Sequence, residues 1–340
     1  MNEKDYLSDF RNCQLCEWRC GVNRLDGERG VCRMTTRGGV VASAQLHPAP
    51  PESYTVFLAG CNFKCLNCQN WTISTYPDQP GGVRGFLDPD TLAVECVRAL
   101  RSPAGRAMGA DRIFFSGGEP TIHLPYIEQV VASARQMDPQ IKVNFDTNGF
   151  LTEASLRRVL AFATSITYDL KAYHDDVFRA LTGAFVSPVL RNAELIGKTA
   201  PEKLWEYRIL VIPGINEDEM PPLCDFIAGI DPSLPVCFLC FRPNYALESH
   251  PGAGRELMER CLEIAADCGL ENVQSSGLPG LPGREAAIRN EIAAYYEREG
   301  ARLAASYALA AGCNTHPRDC GACRRNQQCK LKGYRPRIVT

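Results

Sequence analysis

The sequence predicts an α/β fold, a partial (β/α)6 parallel barrel with a small Cys-rich extension at each end. Two observations carry this. From residue 88 onward, segments with apolar residues at helical spacing alternate with short apolar runs, and strands separated by helices require right-handed parallel crossovers. Eleven of the 17 cysteines gather near the two termini and in one central loop. With 340 residues, 45% hydrophobic and 22% charged, the chain is long enough for a barrel-sized core plus appendages.

The expected divisions are a Cys-rich metal-binding module at 1–50, the barrel at 51–278 and a helical extension with a Cys-rich tail at 279–340. The first carries Cys13, Cys16, Cys20 and Cys32 as CxxC-x3-C-x11-C, with Gly21, Gly27 and Gly30 permitting tight turns. Four soft ligands in so short a segment suit either a tetrahedral zinc site or an iron-sulfur cluster, and spacing does not separate the two. Then GGVVASAQLH gives a short strand, followed by a proline-rich turn and an apolar run ending at Gly60. His47 reads as an ordinary loop or core histidine.

Next stand Cys61, Cys65 and Cys68 at CxxxCxxC spacing. Three thiolates on one tight loop hold three irons of a cubane and leave the fourth open to a ligand, whereas an electron-transfer cluster uses four cysteines. DPDTLAVECVRALRSP is predicted helical with Asp88 as cap, followed by a strand in DRIFFSGGEP, a helix in LPYIEQVVASARQM and a strand in KVNFDTNG. TEASLRRVLAFA, DDVFRALTG and SPVLRNAELIGKT are further helices, with a strand at SITYDLKAY. EYRILVIPG and VCFLCFRP are strands, flanking EDEMPPLCDFIAGI, where Pro221 and Pro222 break the helix start. GRELMERCLEIAADCG is a helix, and NVQSSG a short last strand. After residue 278 come turn residues, a long alanine-rich helical stretch, and Cys313, Cys320, Cys323 and Cys329. Arg324, Arg325, Lys330, Lys332, Arg335 and Arg337 make this tail basic.

In parallel α/β folds active residues lie beyond the carboxyl ends of strands. Here the strand ends are the cysteine loop, then Gly117-Gly118-Glu119, then Asp146-Thr147-Asn148, then Asp169-Leu170-Lys171, then Pro213-Gly214, then Arg242. A net charge of -2 offers no electrostatic case for a nucleic-acid or membrane partner. No eighteen apolar residues run together, and MNEKDYLSDFRNC lacks the apolar core of a secretory signal, so a cytoplasmic protein is expected. In a reducing compartment the cysteines are metal ligands rather than disulfides.

GCNFKCLNCQNWTIS resembles the cluster loop of the radical S-adenosylmethionine (SAM) superfamily, and most closely its pyruvate formate-lyase activating-enzyme-related branch. The resemblance spans roughly residues 13–278. It implies that Cys61, Cys65 and Cys68 ligate a 4Fe-4S cluster whose open iron is chelated by SAM. It further implies that Gly117, Gly118 and Glu119 hold the SAM amino group and that Asp146, Thr147, Asn148, Asp169 and Lys171 line the rest of the site, with a monovalent cation near the aspartates. A one-electron donor such as flavodoxin or ferredoxin would reduce the cluster, and a 5′-deoxyadenosyl radical would abstract hydrogen from a substrate under anaerobic conditions. The Cys320-x2-Cys323-x5-Cys329 tail resembles a truncated SPASM/Twitch extension, for an auxiliary 4Fe-4S cluster or zinc. The DTNG and DLK segments favour a protein substrate activated to a glycyl radical; the extra cysteines favour peptide or small-molecule modification. A non-enzymatic metal-binding interaction protein is the third class. Asn67 departs from the pattern, since related chains carry an aromatic there, and Phe63 or Trp71 are the candidates to pack on adenine instead.

Overall fold

The computed structural model describes residues 6–78, 81–277, 279 and 292–336. They form two compact units, Met1–Asn62 with Asn70–Thr167, and Phe63–Gln69 with Tyr168–Thr340. The division runs through the central loop, so Cys61 counts with the first unit and Cys65 and Cys68 with the second.

The first unit contains α1 (Ser8–Arg11), β1 (Val40–His47), β2 (Ser53–Leu58), α2 (Trp71–Ser74), β3 (Gly85–Phe86), α3 (Pro89–Leu100), α4 (Pro103–Met108), β4 (Arg112–Gly117), α5 (Leu124–Met137), β5 (Lys142–Thr147), α6 (Glu153–Phe162) and the start of β6 (Ser165–Leu170). Its strand order is β3-β1-β2-β4-β5. β2, β4 and β5 are parallel, with Val56 opposite Phe115 and Phe115 opposite Phe145. Val56, Leu58, Ile113, Phe115, Val143 and Phe145 are fully buried, which is the continuous apolar reading expected of strands covered on both faces. β1 pairs antiparallel with β2, because the proline-rich turn joining them is far too short for the crossover that a parallel pair needs, and the two-residue β3 pairs antiparallel on its other side.

Local sequence sets the helix ends. The Asp88 carboxylate accepts from the backbone N–H of Asp90 and Thr91 at the start of α3, as predicted. α4 was not foreseen. It is six residues long, too short to show a period, yet Ser102 caps it, Pro103 occupies its first turn and Gly109 ends it at φ 79°.

The second unit contains the rest of β6, α7 (Asp175–Thr182), α8 (Ser187–Thr199), β7 (Leu204–Val211), α9 (Met220–Ile230), β8 (Val236–Cys240), α10 (Arg255–Asp267), β9 (Val273–Ser276) and α11 (Glu299–Ala310). β7, β8 and β9 are parallel in that order. Pro221 and Pro222 do not break α9: they lie in its first turn, where a missing N–H leaves no bond unmade, and the helix begins at Met220 after a 3-10 turn at Glu217–Glu219. Of the alanine-rich stretch, the described residues form a 3-10 turn at Ala293–Tyr295 and then α11. Residues 278 and 280–291 of that expected stretch, and Arg337 of the basic tail, lie outside the described residues. The α/β class and the mostly parallel sheet of a partial barrel hold.

Candidate functional site

In the first unit, the glycines after β4 are needed for backbone against backbone. Gly118 N–H donates to the Leu58 carbonyl at 2.8 Å and Glu119 N–H to the Gly60 carbonyl at 3.0 Å. A Cβ on Gly117 would collide with the Leu58 carbonyl, and one on Gly118 with the Gly60 carbonyl. Gly117 also sits at φ 118°, which side chains rarely adopt. The paired glycines thus clamp the end of β4 to the residues that lead into Cys61. Gly118→Ala is expected to destabilise the chain by about 3 kcal/mol or more, because backbone cannot yield as a side chain can. A fall in the urea midpoint without a change in slope checks this.

Glu119 is 1% exposed. Its carboxylate accepts from Thr121 N–H at 3.0 Å, from the Thr121 hydroxyl, from the Thr147 hydroxyl at 2.8 Å and from Asn148 N–H at 2.8 Å. Burial pushes its pKa up, to about 7, against the opposing pull of these donors. Asn148 continues the chain of contacts. Its Nδ2 donates to Asn62 Oδ1 at 2.7 Å and reaches Cys61 Sγ at 3.9 Å, while its Oδ1 accepts from Phe150 N–H at 3.1 Å. The end of β5 is thereby fixed to the first cysteine of the loop. Asp146 accepts from the Ser116 hydroxyl at 2.6 Å, which ties β5 to β4 one residue before Gly117.

The N-terminal cysteines belong to the same unit and lie against the segment after Asn148. Cys16 bridges Leu151, Glu17 N–H donates to the Phe150 carbonyl at 3.1 Å, and Trp18 Nε1–H donates to the Asn62 carbonyl at 2.9 Å. Burial pushes the Cys16 thiol well up, and Cys32, Cys13 and Cys20 push it further, so the four sulfurs share one neighbourhood. Gly30 permits this packing, since a Cβ there would lie 2.7 Å from Cys20 Sγ. His47 has the ordinary role expected of it, with Nδ1 accepting from Ala49 N–H at 3.3 Å.

In the second unit, residues 63–69 are held by α7: Lys64 N–H donates to the Thr182 carbonyl at 2.9 Å and Leu66 N–H to the Leu181 carbonyl at 3.0 Å. Phe63 is buried, edge-on to Phe178 with ring centroids 5.6 Å apart, which commits it to the core. Asn67 is buried too. Lys171 Nζ pairs with Asp169 Oδ2 at 3.0 Å. Burial opposes its charge, but Asp169 and the Cys65 thiol outweigh that and hold the ammonium above its usual range. Burial raises Cys65 to about 12, against the downward pull of Lys171. Arg242 is exposed beyond β8.

The C-terminal cysteines also form one neighbourhood. Burial pushes Cys320 up to about 12, with Lys64 pulling down and Cys313, Cys329 and Cys323 pushing up. The Thr315 hydroxyl meets Cys313 Sγ at 3.5 Å and Cys323 Sγ at 3.3 Å. The sequence reading missed His316, although Cys313-x2-His316 is a ligand-like spacing. Its ring is 2% exposed and neither nitrogen has a partner in hydrogen-bonding geometry. Burial would raise Cys313, but the neighbouring His316 and Thr315 bring it down, to about 6. Also missed were Lys64 and Lys332, only 5% and 2% exposed, which composition alone would place in solvent.

The donor chemistry fits thiolate-bound iron. An amide N–H faces Cys61, and Lys171 and Lys332 lower Cys65, all of which favour a sulfur that carries negative charge. None of the 17 cysteines, all among the described residues, is in a disulfide. Among the described residues no three His, Cys, Asp or Glu side chains are drawn together as ligands of a single metal ion, and no helix is long and apolar enough to cross a membrane.

A family profile described as the Radical SAM superfamily matches residues 55–227, about half of the chain. The uncharacterized protein MJ0808 of Methanocaldococcus jannaschii is 28% identical over 309 residues, covering 84% of this chain and 87% of that protein. A GTP 3′,8-cyclase of Stenotrophomonas maltophilia is 26% identical, over 50% of this chain and 48% of the cyclase. The pyruvate formate-lyase-activating enzyme of Staphylococcus aureus is 26% identical, over 54% of this chain and 71% of that enzyme.

Proposed function

The chain belongs to the radical SAM superfamily, and from that premise we propose that it is an activase-like enzyme that takes a hydrogen atom from a protein substrate. Membership supports an enzyme over a non-enzymatic metal-binding protein, and the family implies a 4Fe-4S cluster and SAM. When bound, that pair would supply one-electron reductive cleavage of SAM as the source of hydrogen abstraction from the substrate, with Cys61, Cys65 and Cys68 holding the cluster.

Cys61, Cys65 and Cys68 supply the thiolates. The observation that carries the reading is the run of contacts from Glu119 through Asn148 to Cys61, because it links two consecutive strand ends to the first cysteine. In its role here, Asn148 donates to the Cys61 sulfur, and Glu119 fixes the Thr147-Asn148 turn. Gly117 and Gly118 keep backbone groups at the end of β4 within reach of the SAM amino group. Asp146, Thr147, Asp169 and Lys171 bound the rest of the SAM site, and Lys171 balances the carboxylate of Asp169. A monovalent cation would take the remaining carboxylate oxygens. The N-terminal Cys13, Cys16, Cys20 and Cys32 and the C-terminal Cys313, Cys320, Cys323 and Cys329 hold auxiliary iron-sulfur clusters or zinc, and a small flavodoxin or ferredoxin delivers the electron.

Similarity to the pyruvate formate-lyase-activating enzyme, together with the DTNG and DLK strand ends, supports the protein substrate. A second reading, modification of a peptide or small molecule, is favoured by the C-terminal cysteine group, with Cys313 and Cys320 buried, and by similarity to a GTP 3′,8-cyclase. The two separate by isotope. Candidate partner proteins carrying deuterated glycine are incubated with the reduced enzyme and SAM; deuterium entering 5′-deoxyadenosine is the expected result. Label transferred only from a peptide or a small molecule selects the second reading.

A further inference from the structure

His316, in the second unit, is 2% exposed, and neither Nδ1 nor Nε2 makes a hydrogen bond. A buried imidazole needs a partner for at least its N–H, and leaving both nitrogens unanswered is costly. Such an orphan points to a partner that the polypeptide does not supply. A neutral imidazole nitrogen is the commonest metal ligand among side chains.

The groups around His316 are thiols. Gly183 ends α7 at φ 77°, and a Cβ there would lie 2.6 Å from Cys320 Sγ and 3.8 Å from His316 Nε2. The sulfur and the ring edge therefore meet over the same helix end. One residue before His316, the Thr315 hydroxyl meets Cys313 Sγ at 3.5 Å and Cys323 Sγ at 3.3 Å. Two tight turns fix this arrangement: Arg318 N–H donates to the Thr315 carbonyl at 2.7 Å, and Cys323 N–H to the Cys320 carbonyl at 3.2 Å. Cys313, His316, Cys320 and Cys323 are thus ranged round a shared hydroxyl and a helix end rather than drawn to one point, which suits a cluster whose irons take one ligand each. Cys329 is placed differently. Asn326, at the start of the turn before it, accepts from Lys64 Nζ at 2.7 Å. Cys323 is half-buried like Cys329, but Thr315 ties it to Cys313.

We propose that His316 is an iron ligand of the C-terminal cluster, its neutral imidazole joining the thiolates of Cys313, Cys320 and Cys323 in the place that cysteine spacing gives to Cys329. Histidine nitrogen replaces cysteine sulfur on cluster iron in Rieske centres, where it raises the potential. The assignment rests on the reading above that the C-terminal cysteines hold an iron-sulfur cluster.

The test uses the full chain, carrying isotopically labelled histidine nitrogen and reconstituted anaerobically with iron and sulfide. Reduced without SAM, the parent is expected to show hyperfine coupling to the label in its pulsed electron paramagnetic resonance spectrum. His316→Phe is expected to lose that coupling together with about four irons per chain, one cubane. It is expected to keep the signal that changes on adding SAM, which belongs to the cluster of Cys61, Cys65 and Cys68. His316→Cys is expected to recover the iron without the coupling, and Cys329→Ala to keep both. A parent without the coupling overturns the assignment, and so does a coupling that persists in either His316 variant. Loss of the iron in Cys329→Ala but not in His316→Phe overturns it as well. Iron per chain unchanged by Cys320→Ala overturns the reading of a C-terminal cluster itself, and this inference with it.

Discussion

Replacing Cys61, Cys65 or Cys68 singly by alanine is expected to remove the SAM-responsive cluster and to lower 5′-deoxyadenosine formation at least about 10³-fold, roughly 4 kcal/mol of barrier. The cofactor carries the difficult chemistry, and losing a thiolate leaves its iron without that ligand. The same substitution at Cys13, Cys16, Cys20 or Cys32 is expected to act differently. Those cysteines support the turn after Asn148 through Cys16, Glu17 and Trp18, so their loss weakens the first unit before it touches the SAM-responsive signal. Iron per chain, the signal and product formation, measured together in each variant, distinguish the two classes. A Cys65→Ala protein with the parental signal and product yield would remove that residue from the ligand set.

Glu119→Ala has the second largest expected effect. It strands two buried backbone N–H groups, of Thr121 and Asn148, and frees the Thr147 hydroxyl. At about 1–3 kcal/mol for each unsatisfied buried group, the loss of stability is expected at roughly 3–5 kcal/mol. The pH dependence follows from the direction of the shift. The folded chain holds the Glu119 proton up to about pH 7, whereas the unfolded carboxyl releases it near its ordinary value, 4.5. Between those values the folded state binds more protons than the unfolded one. The stability contributed by this group is therefore fully present below about 4.5 and is lost as pH rises through about 7. Chemical denaturation at a series of pH values is expected to show that decline in the parent and its absence in Glu119→Ala. A parent whose stability is flat from pH 4.5 to 7 in comparison with the variant would put the carboxyl's ionisation elsewhere.

Most of the parallel strands were legible because buried parallel strands are short apolar runs and each ends in a distinctive group, as in FFSGGE, FDTNG and YDLK. The helices between them carried clear periods and caps. What the sequence concealed has physical reasons. Spacing shows that the glycines after β4 give a ligand close access, but not that a Cβ on either would also meet the Leu58 or Gly60 carbonyl. Glu119 was read as a ligand of SAM. Its four protein donors depend on Thr121, Thr147 and Asn148 meeting in space, which no local pattern records. Lys64 and Lys332 look like solvated charges in the chain, yet both are buried, Lys64 with its ammonium on Asn326 of the tail. His316 falls outside the pattern that cysteine spacing alone defines, although Cys313-x2-His316 is itself a ligand-like spacing. Phe63, weighed as an adenine contact, is instead committed to Phe178.

The central claim is that this chain cleaves SAM reductively. The most direct test is to reconstitute it with iron and sulfide under anaerobic conditions, reduce it, add SAM and quantify methionine and 5′-deoxyadenosine together. Equimolar formation of the two, abolished in Cys61→Ala, is the predicted result. A fully loaded and reduced 4Fe-4S protein that leaves SAM intact would contradict it.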